Sequence, residues 1–265
     1  MATTKTSNPP QLRLRIFAGP NGSGKSTIIN NIRQETVNGR LIDFGHYINA
    51  DDIATALRSG TYSFDSFDIT VTKPFILTFA ETSGLLSDKF NLELVKSVIS
   101  VRENVLILKD KDIVEEAAQL VARYLREALL AARKRFSFET VFSHESNIDI
   151  MQRANEAGYK VYLYFVSTES YLINQYRVEL RVKQGGHSVP PGKIKSRYFR
   201  SLGCLYDAVQ EAYQAFVFDN SKEDEPYRLI FHSRFIEEIQ VQEDTPPEGY
   251  SNWFKEYYVA KDKPK

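Results

Sequence analysis

A three-layer α/β fold with a mainly parallel five-stranded central sheet, an inserted mostly helical segment and a C-terminal hairpin is predicted by two patterns. Apolar runs at Leu12 to Ala18, His46 to Ala50, Phe136 to Phe142, Lys160 to Val166 and Ala215 to Phe218 alternate with stretches whose apolar residues recur at helical spacing. Parallel strands joined by crossover helices read in that way. The second pattern is a glycine-rich loop between the first run and the first helical stretch.

That loop reads Gly19-Pro20-Asn21-Gly22-Ser23-Gly24-Lys25-Ser26, followed by Thr27. It matches the Walker A spacing, and polyphosphate binding explains its residue types. Glycines at 19, 22 and 24 let the backbone turn its N–H groups inward, where a Cβ would obstruct the turn or the phosphate. Those N–H groups and the N-terminus of the following helix form a partial positive pole for an anion. Lys25 reaches the terminal phosphates as a point charge, and Ser26 offers a hydroxyl to Mg²⁺. ATP with Mg²⁺ is therefore the expected ligand.

Composition narrows the partners. The chain has 265 residues, 42% of them hydrophobic and 26% charged, which suits a soluble globular protein. Lys+Arg 34 equals Asp+Glu 34, so the general basic bias of a dedicated nucleic-acid binder is missing. Cys204 stands alone, which rules out an intrachain disulfide and a cysteine-rich zinc site. No run reaches membrane-spanning length and residues 1–10 lack the apolar core of a signal peptide, so the expected location is the cytoplasm.

Residues 1–11 read as a disordered tail and 12–265 as a single domain, with an insertion at 60–110 and a lid at 177–200. In the first strand, Arg13 and Arg15 alternate with Leu12, Leu14 and Ile16, which implies incomplete burial at its start. Asp51-Asp52 follows the second strand. One of the pair can cap the next helix, and one can face the ligand crevice at the carboxyl ends of the strands. Within 60–110, Pro74 to Leu86 and Leu92 to Leu108 each fit a helix or strands, and the whole is read as a helical hairpin with a β-like piece at Asn104 to Leu108. Ile113 to Arg135 is a strongly periodic helix. Glu139-Thr140 places a glutamate in an otherwise apolar central strand, where burial is costly unless the carboxylate is paired or serves a site. Arg177 and Arg181 share a helix face, a Gly/Pro-rich loop follows, and Lys193, Lys195, Arg197 and Arg200 lie on the next helix. This region is either a lid over a triphosphate or a solvated basic face. Trp253, Phe254, Tyr257 and Tyr258 have the spacing of a helix that covers the core.

Taken together, Ala18 to Thr27 (AGPNGSGKST), Asn49-Ala50-Asp51 with Ile53-Ala54, Phe138-Glu139-Thr140, and Gly185-Gly186-His187-x-Val189-Pro190 followed by Arg197-Tyr198 resemble the zeta toxin family of P-loop kinases. The match covers roughly residues 12–50 and 112–220 and leaves the insertion outside. The resemblance implies a shikimate- or nucleotide-kinase-like P-loop NTPase core and transfer of the ATP γ-phosphate to a hydroxyl of a small molecule. In toxin members of the family the acceptor is a UDP-linked amino sugar. By the same resemblance Asp51 is the catalytic base, Lys25 the phosphate-binding lysine and Glu139 the acidic residue near the acceptor, with Asn49, Thr140 and His187 on the substrate side. Arg177 or Arg181 matches the first phosphate-contacting arginine. The second is expected nearer His187, with Arg197 the closest alternative. An antitoxin is the protein partner that such a kinase would have. The other class of function open to this sequence is an ATP-binding regulatory or interaction module that transfers no phosphoryl group.

Overall fold

The computed structural model describes residues 11–186, 188–223, 225–236, 239–243 and 249–262. The tail expected over 1–11 lies outside them, apart from Gln11. In chain order the elements are β1 (Arg13–Ala18), α1 (Lys25–Ile32), the hairpin β2 (Thr36–Val37) and β3 (Arg40–Leu41), β4 (His46–Ile48) and α2 (Ala50–Arg58). Then come β5 (Thr61–Ser63), α3 (Lys73–Thr82), α4 (Leu92–Val98), β6 (Ile99–Arg102), β7 (Val105–Leu108), α5 (Val114–Ala131) and β8 (Phe136–Thr140). The last part holds α6 (Ser146–Glu156), β9 (Lys160–Ser167), α7 (Tyr171–Lys183), α8 (Pro191–Gly203), α9 (Leu205–Gln210), β10 (Gln214–Asp219), β11 (Arg228–Ile236), β12 (Ile239–Glu243) and α10 (Asn252–Phe254).

The central sheet runs β12-β11-β10-β9-β1-β8-β4. Five of its strands, β4, β8, β1, β9 and β10, are parallel, while β11 and β12 continue the edge antiparallel. Numbered by their own succession in the chain, the parallel strands lie in the order 2-3-1-4-5. The connections leave β1 toward opposite edges, so the loops after β1, β4 and β8 meet at one crevice, where α/β sheets bind ligands. The C-terminal hairpin is part of this sheet and does not stand apart from it.

Strand alternation sorts the two faces. Leu14, Ile16 and Ala18 of β1 join a core built with α2, α5, α6 and the insertion. Phe17 points the other way, onto Ile28, Ile29 and Ile32 of α1. On that face Phe17, Tyr164, Phe216 and His232 lie in register on neighbouring strands, with successive rings stacked at 4.9, 5.1 and 4.4 Å. The next register partner of Phe17, on β8, is Glu139, where the aromatic row gives way to a carboxylate. Arg15 departs from the alternation argument because it is only 7% exposed. Its Nε donates to Asp43 O at 3.0 Å, Nη1 donates to the Tyr164 hydroxyl at 3.3 Å, and the guanidinium lies 4.4 Å over the Tyr162 ring. Paired in this way, an arginine stem packs as apolar surface does.

The insertion is less helical than its pattern suggests. α3 and α4 are present, but β5, β7 and β6 form a three-stranded antiparallel sheet. Phe64, Phe67, Val71, Ile76, Phe90 and Val95 from this region share the core of α2 and α5. The order of packing, not local propensity, decides such short apolar runs.

At the other end Trp253, Phe254 and Tyr258 are buried as expected and tie the C-terminal segment to β10. Asp219 accepts from the Trp253 Nε1–H at 2.8 Å, from the Ser251 hydroxyl and from Ser221 N–H at 3.0 Å. Burial acts to raise this carboxyl, but the hydrogen bonds from Ser251, Trp253 and Ser221 outweigh it and hold the group below its ordinary value. A depressed folded value means the stabilisation is complete above the ordinary carboxylate range near 3.8 and is lost as pH falls through it toward the folded value. Asp219→Asn is expected to destabilise the protein by about 2 kcal/mol and to flatten that acid limb. Trp253 is the sole tryptophan, so its emission should shift to the red in the variant. Unchanged emission together with an unchanged acid midpoint would remove Asp219 as the clasp.

Candidate functional site

The glycine-rich loop joins β1 to α1 and is held from outside by two asparagine amides. Asn174 of α7 donates to Asn21 O at 2.8 Å, and Asn220, just past β10, donates to Ser23 O at 2.8 Å. With those carbonyls taken outward, the loop N–H groups can turn inward. The close clamps explain two glycines. A Cβ on Gly22 (φ 76°) would sit 2.4 Å from Asn174 O, and one on Gly24 (φ 96°) 2.1 Å from Asn220 Nδ2. Gly24 is the N-cap of α1, with no side-chain cap and no acidic residue in the first turn, so that pole is left to an anion. The Ser23 hydroxyl is buried and has no partner among the described residues. Ser26 and Thr27 present exposed side chains at the start of α1.

Lys25 folds back over this cradle. It is 8% exposed, and its Nζ donates to Gly19 O at 2.9 Å and to Pro20 O at 3.1 Å, with Glu139 Oε1 at 3.7 Å. Burial pulls the ammonium below its ordinary value. Glu139 and Asp51 oppose that pull, while Arg181 adds to it. Glu139 is thus the carboxylate beside Lys25, and the charges of Asp51 and Arg181 are near enough to act on it.

Glu139 is aimed from three sides. Tyr47 Oη and Asn49 Nδ2 each donate to its Oε2 at 3.4 Å, and the buried Arg126 of α5 donates through Nη2 to its carbonyl at 3.4 Å. Arg126 lies 4.0 Å over the Phe138 ring, and burial, with Arg123 adding to it, brings its value down to about 9. Tyr47 is pushed up by burial and by Glu139, and Arg33 sits 4.5 Å over its ring.

Neither aspartate of the pair caps α2. The N-cap is Asn49, whose Oδ1 accepts from Asp51 N–H at 2.8 Å, and both aspartates occupy the first turn. Successive residues on a helix point about 100° apart, so the two diverge. Asp51 bears on Lys25. Asp52 is raised by burial and by Asp51, with Arg33 opposing.

The other expected site residues are spread around this centre. Arg177 donates to Asn220 O at 2.7 Å and to Lys222 O at 3.3 Å, which ties α7 to the loop after β10. Arg181, one turn on, is the arginine that bears on Lys25. Arg197 of α8 reaches the loop through Nη1 to Asn21 Oδ1 at 3.4 Å, and burial, then Arg200, draws its value down. Thr140 Oγ1 binds Asn147 Oδ1 at 3.3 Å and accepts from Phe142 N–H at 3.1 Å, so it holds the turn after β8. His187 lies outside the described residues. Next to Asp51, a cavity of about 260 Å³ is lined by Asp51, Ala54, Thr55, Arg58, Arg181, Gly185 and Gly186. Sequence reasoning missed Asn174, Asn220, Tyr47 and Arg126. Only Asn220 carried a signal, its place at the tip of the fifth parallel strand.

No family model matches the chain. A Haemophilus influenzae protein described only as uncharacterized is 36% identical over 63 residues, which is 24% of this chain and 45% of that protein. Among solved structures, the chain is similar to one of the AvrRxo1-ORF1:AvrRxo1-ORF2 complex with sulphate ions, at 15% identity and a TM-score of 0.49 over 89% of this chain and 62% of that one. The same complex with ATP gives 14% identity and a TM-score of 0.47, over 86% and 61% of the two chains. The PezAT chromosomal toxin-antitoxin system of Streptococcus pneumoniae gives 16% identity and a TM-score of 0.45 over 99% of this chain and 84% of that one. The chain thus spans less than half of the Haemophilus influenzae protein and about three fifths of the AvrRxo1 chain. By its own strand order and loop geometry, the fold is a doubly wound, mainly parallel α/β sheet with a phosphate-binding type of loop between its first strand and first helix.

Proposed function

We propose that the chain is an ATP-dependent phosphotransferase that moves the γ-phosphate to a hydroxyl of a small molecule. The observation that carries this reading is Lys25, buried over the glycine-lined loop with Glu139 Oε1 at 3.7 Å, together with the cavity that Asp51 and Arg181 line. In it, loop N–H groups and Lys25 hold the β- and γ-phosphates of ATP. Asp51 takes the proton of the acceptor hydroxyl as its oxygen bonds the γ-phosphorus, the bond to the bridging oxygen breaks, and ADP leaves. Arg181, with Arg197 beside the loop, offsets the charge that spreads over the transferred group. Glu139, locked by Tyr47 and Asn49, orients the acceptor side. Arg177 and Asn220 wall the nucleotide on the side away from the transfer.

The residues fit Mg²⁺. Among the described residues no group of three His, Cys, Asp or Glu side chains forms a metal cage, and Mg²⁺ in phosphoryl transfer needs only one or two protein ligands besides phosphate and water. The exposed Ser26 hydroxyl would be the protein ligand, and the ion would neutralise phosphate charge. Among the described residues no helix is long and apolar enough to cross a membrane.

The resemblance makes a UDP-linked amino sugar the first acceptor to assay and an antitoxin the protein partner to seek. Incubation with MgATP and a pool of nucleotide sugars and other hydroxylated metabolites should yield a product heavier by one phosphoryl group. Binding of ATP with no product from any pool, together with ATP-dependent capture of a protein partner, would favour an ATP-binding module instead.

A further inference from the structure

If the chain transfers a phosphoryl group, its acceptor has to fit the cavity beside Asp51, and that cavity is specific in size and charge. One wall is a single face of α2, carrying Asp51, Ala54, Thr55 and Arg58, residues that line up because a turn takes 3.6 residues. The other wall is Arg181, Gly185 and Gly186. A Cβ on Gly186 would lie 2.6 Å from Arg181 Cγ, so glycine there lets the loop settle on the arginine stem and keeps the space narrow. Asp51 stands in the first turn of α2, two residues past Asn49, which donates to Glu139 beside Lys25, so that end of the cavity is the one nearest the phosphate loop.

Arg58 stands at the opposite end of the α2 wall. It pairs through Nη2 with Glu115 of α5, which anchors the guanidinium and uses only part of its five-donor capacity. A guanidinium fork anchored in this way is suited to a planar or tetrahedral oxyanion. Asp51 and Arg58 are seven residues apart, about 10 Å along the helix axis, and a long helical side chain leans back toward the N-terminus and shortens that span. The volume of about 260 Å³ falls just under the range of about 300–1,000 Å³ that accommodates drug-sized ligands.

We propose that the acceptor is a compact hydroxylated oxyanion, the size of a sugar phosphate or a sugar acid, whose reacting hydroxyl meets Asp51 while its phosphate or carboxylate rests on Arg58. This rests on the phosphotransfer reading and narrows it. The full chain, saturated with Mg²⁺ and a non-hydrolysable ATP analogue, is titrated calorimetrically with ribose 5-phosphate, glucose 6-phosphate, gluconate, neutral ribose and UDP-N-acetylglucosamine. Transfer from ATP to the same compounds is read by mass. The sugar phosphates or the sugar acid should bind and neutral ribose should not, and whichever anion binds more tightly identifies phosphate or carboxylate as the preferred group. Arg58→Gln should weaken that binding about ten- to hundredfold, with Arg58→Lys recovering part of it and thermal unfolding reporting that both variants are folded. Absence of binding by every compact anion, or equal affinity in Arg58→Gln, overturns the proposal. Transfer to ribose or to the nucleotide sugar that is indifferent to Arg58 overturns it too, while leaving the phosphotransfer reading intact. Arg58-dependent anion binding with no transfer to any compound keeps the oxyanion site and sinks the phosphotransfer reading.

Discussion

Asp51→Asn is expected to lower kcat by about 10²- to 10⁴-fold, the range that general-base catalysis contributes, while ATP still binds. The amide keeps the shape of the side chain and the hydrogen bond from Asp51 N–H to Asn49 Oδ1, so the start of α2 survives. Losing one carboxylate from the first turn of a helix costs about 0.3–1 kcal/mol. Asp52→Asn supplies the control, because it removes a carboxylate from the same turn that does not line the cavity. Its stability should fall by a similar amount and its transfer rate should hold. Acceptor-dependent ADP formation measured in a single turnover separates the two variants. Normal turnover in Asp51→Asn would leave the proposed mechanism without its base.

Lys25→Met should reduce turnover by about 10²- to 10³-fold, the loss that follows removal of one preorganised electrostatic contact. It should also weaken ATP binding, since the ammonium is a charged contact in a site closed to water, 8% exposed. Ligand linkage gives a second readout. ATP at one hundred times its Kd should stabilise the wild type by about 2.7 kcal/mol, seen as a rise in Tm, and most of that rise should vanish in the variant. Without ATP, the outcome depends on Glu139, which loses its cation and, among the described residues, keeps Tyr47 and Asn49 as donors to its carboxylate. Removing one member of a buried ion pair is destabilising, whereas replacing both can be neutral. Lys25→Met with Glu139→Gln should therefore be closer to wild-type stability than Lys25→Met alone. A full ATP-induced shift in Lys25→Met would mean that the loop does not bind the triphosphate in the manner described.

How far the site could be read in advance varied from residue to residue. The glycine-rich loop was legible because its requirements are local: which backbone angles are allowed, which groups point inward, and what a lysine and a hydroxyl do at a helix start. Glu139 stood out because a carboxylate in an apolar strand contradicts its surroundings, and such conflicts gather at functional sites. Arg15 presents a similar conflict and turned out to be structural, held by Asp43, Tyr162 and Tyr164. The difference lies in what surrounds each charge after folding, which no pattern of alternation reports. Asn174 and Asn220 could not be weighted in advance, because the loop carbonyls they hold lie 153 and 197 residues away along the chain.

By itself, the sequence determined a parallel sheet with a phosphate-type loop after its first strand and a short set of carboxylates and arginines able to serve it. Period, turn chemistry and glycine spacing act over a few residues, so they survive without a fold. Only the tertiary structure decided that Asp51 and not Asp52 lines the cavity with Arg181, and that Arg177 holds backbone past β10. It also placed Arg58 at the end of the cavity. Those outcomes depend on where β4 lies against β8 and how α7 crosses the loop, and the long-range packing that sets both leaves no trace in local spacing.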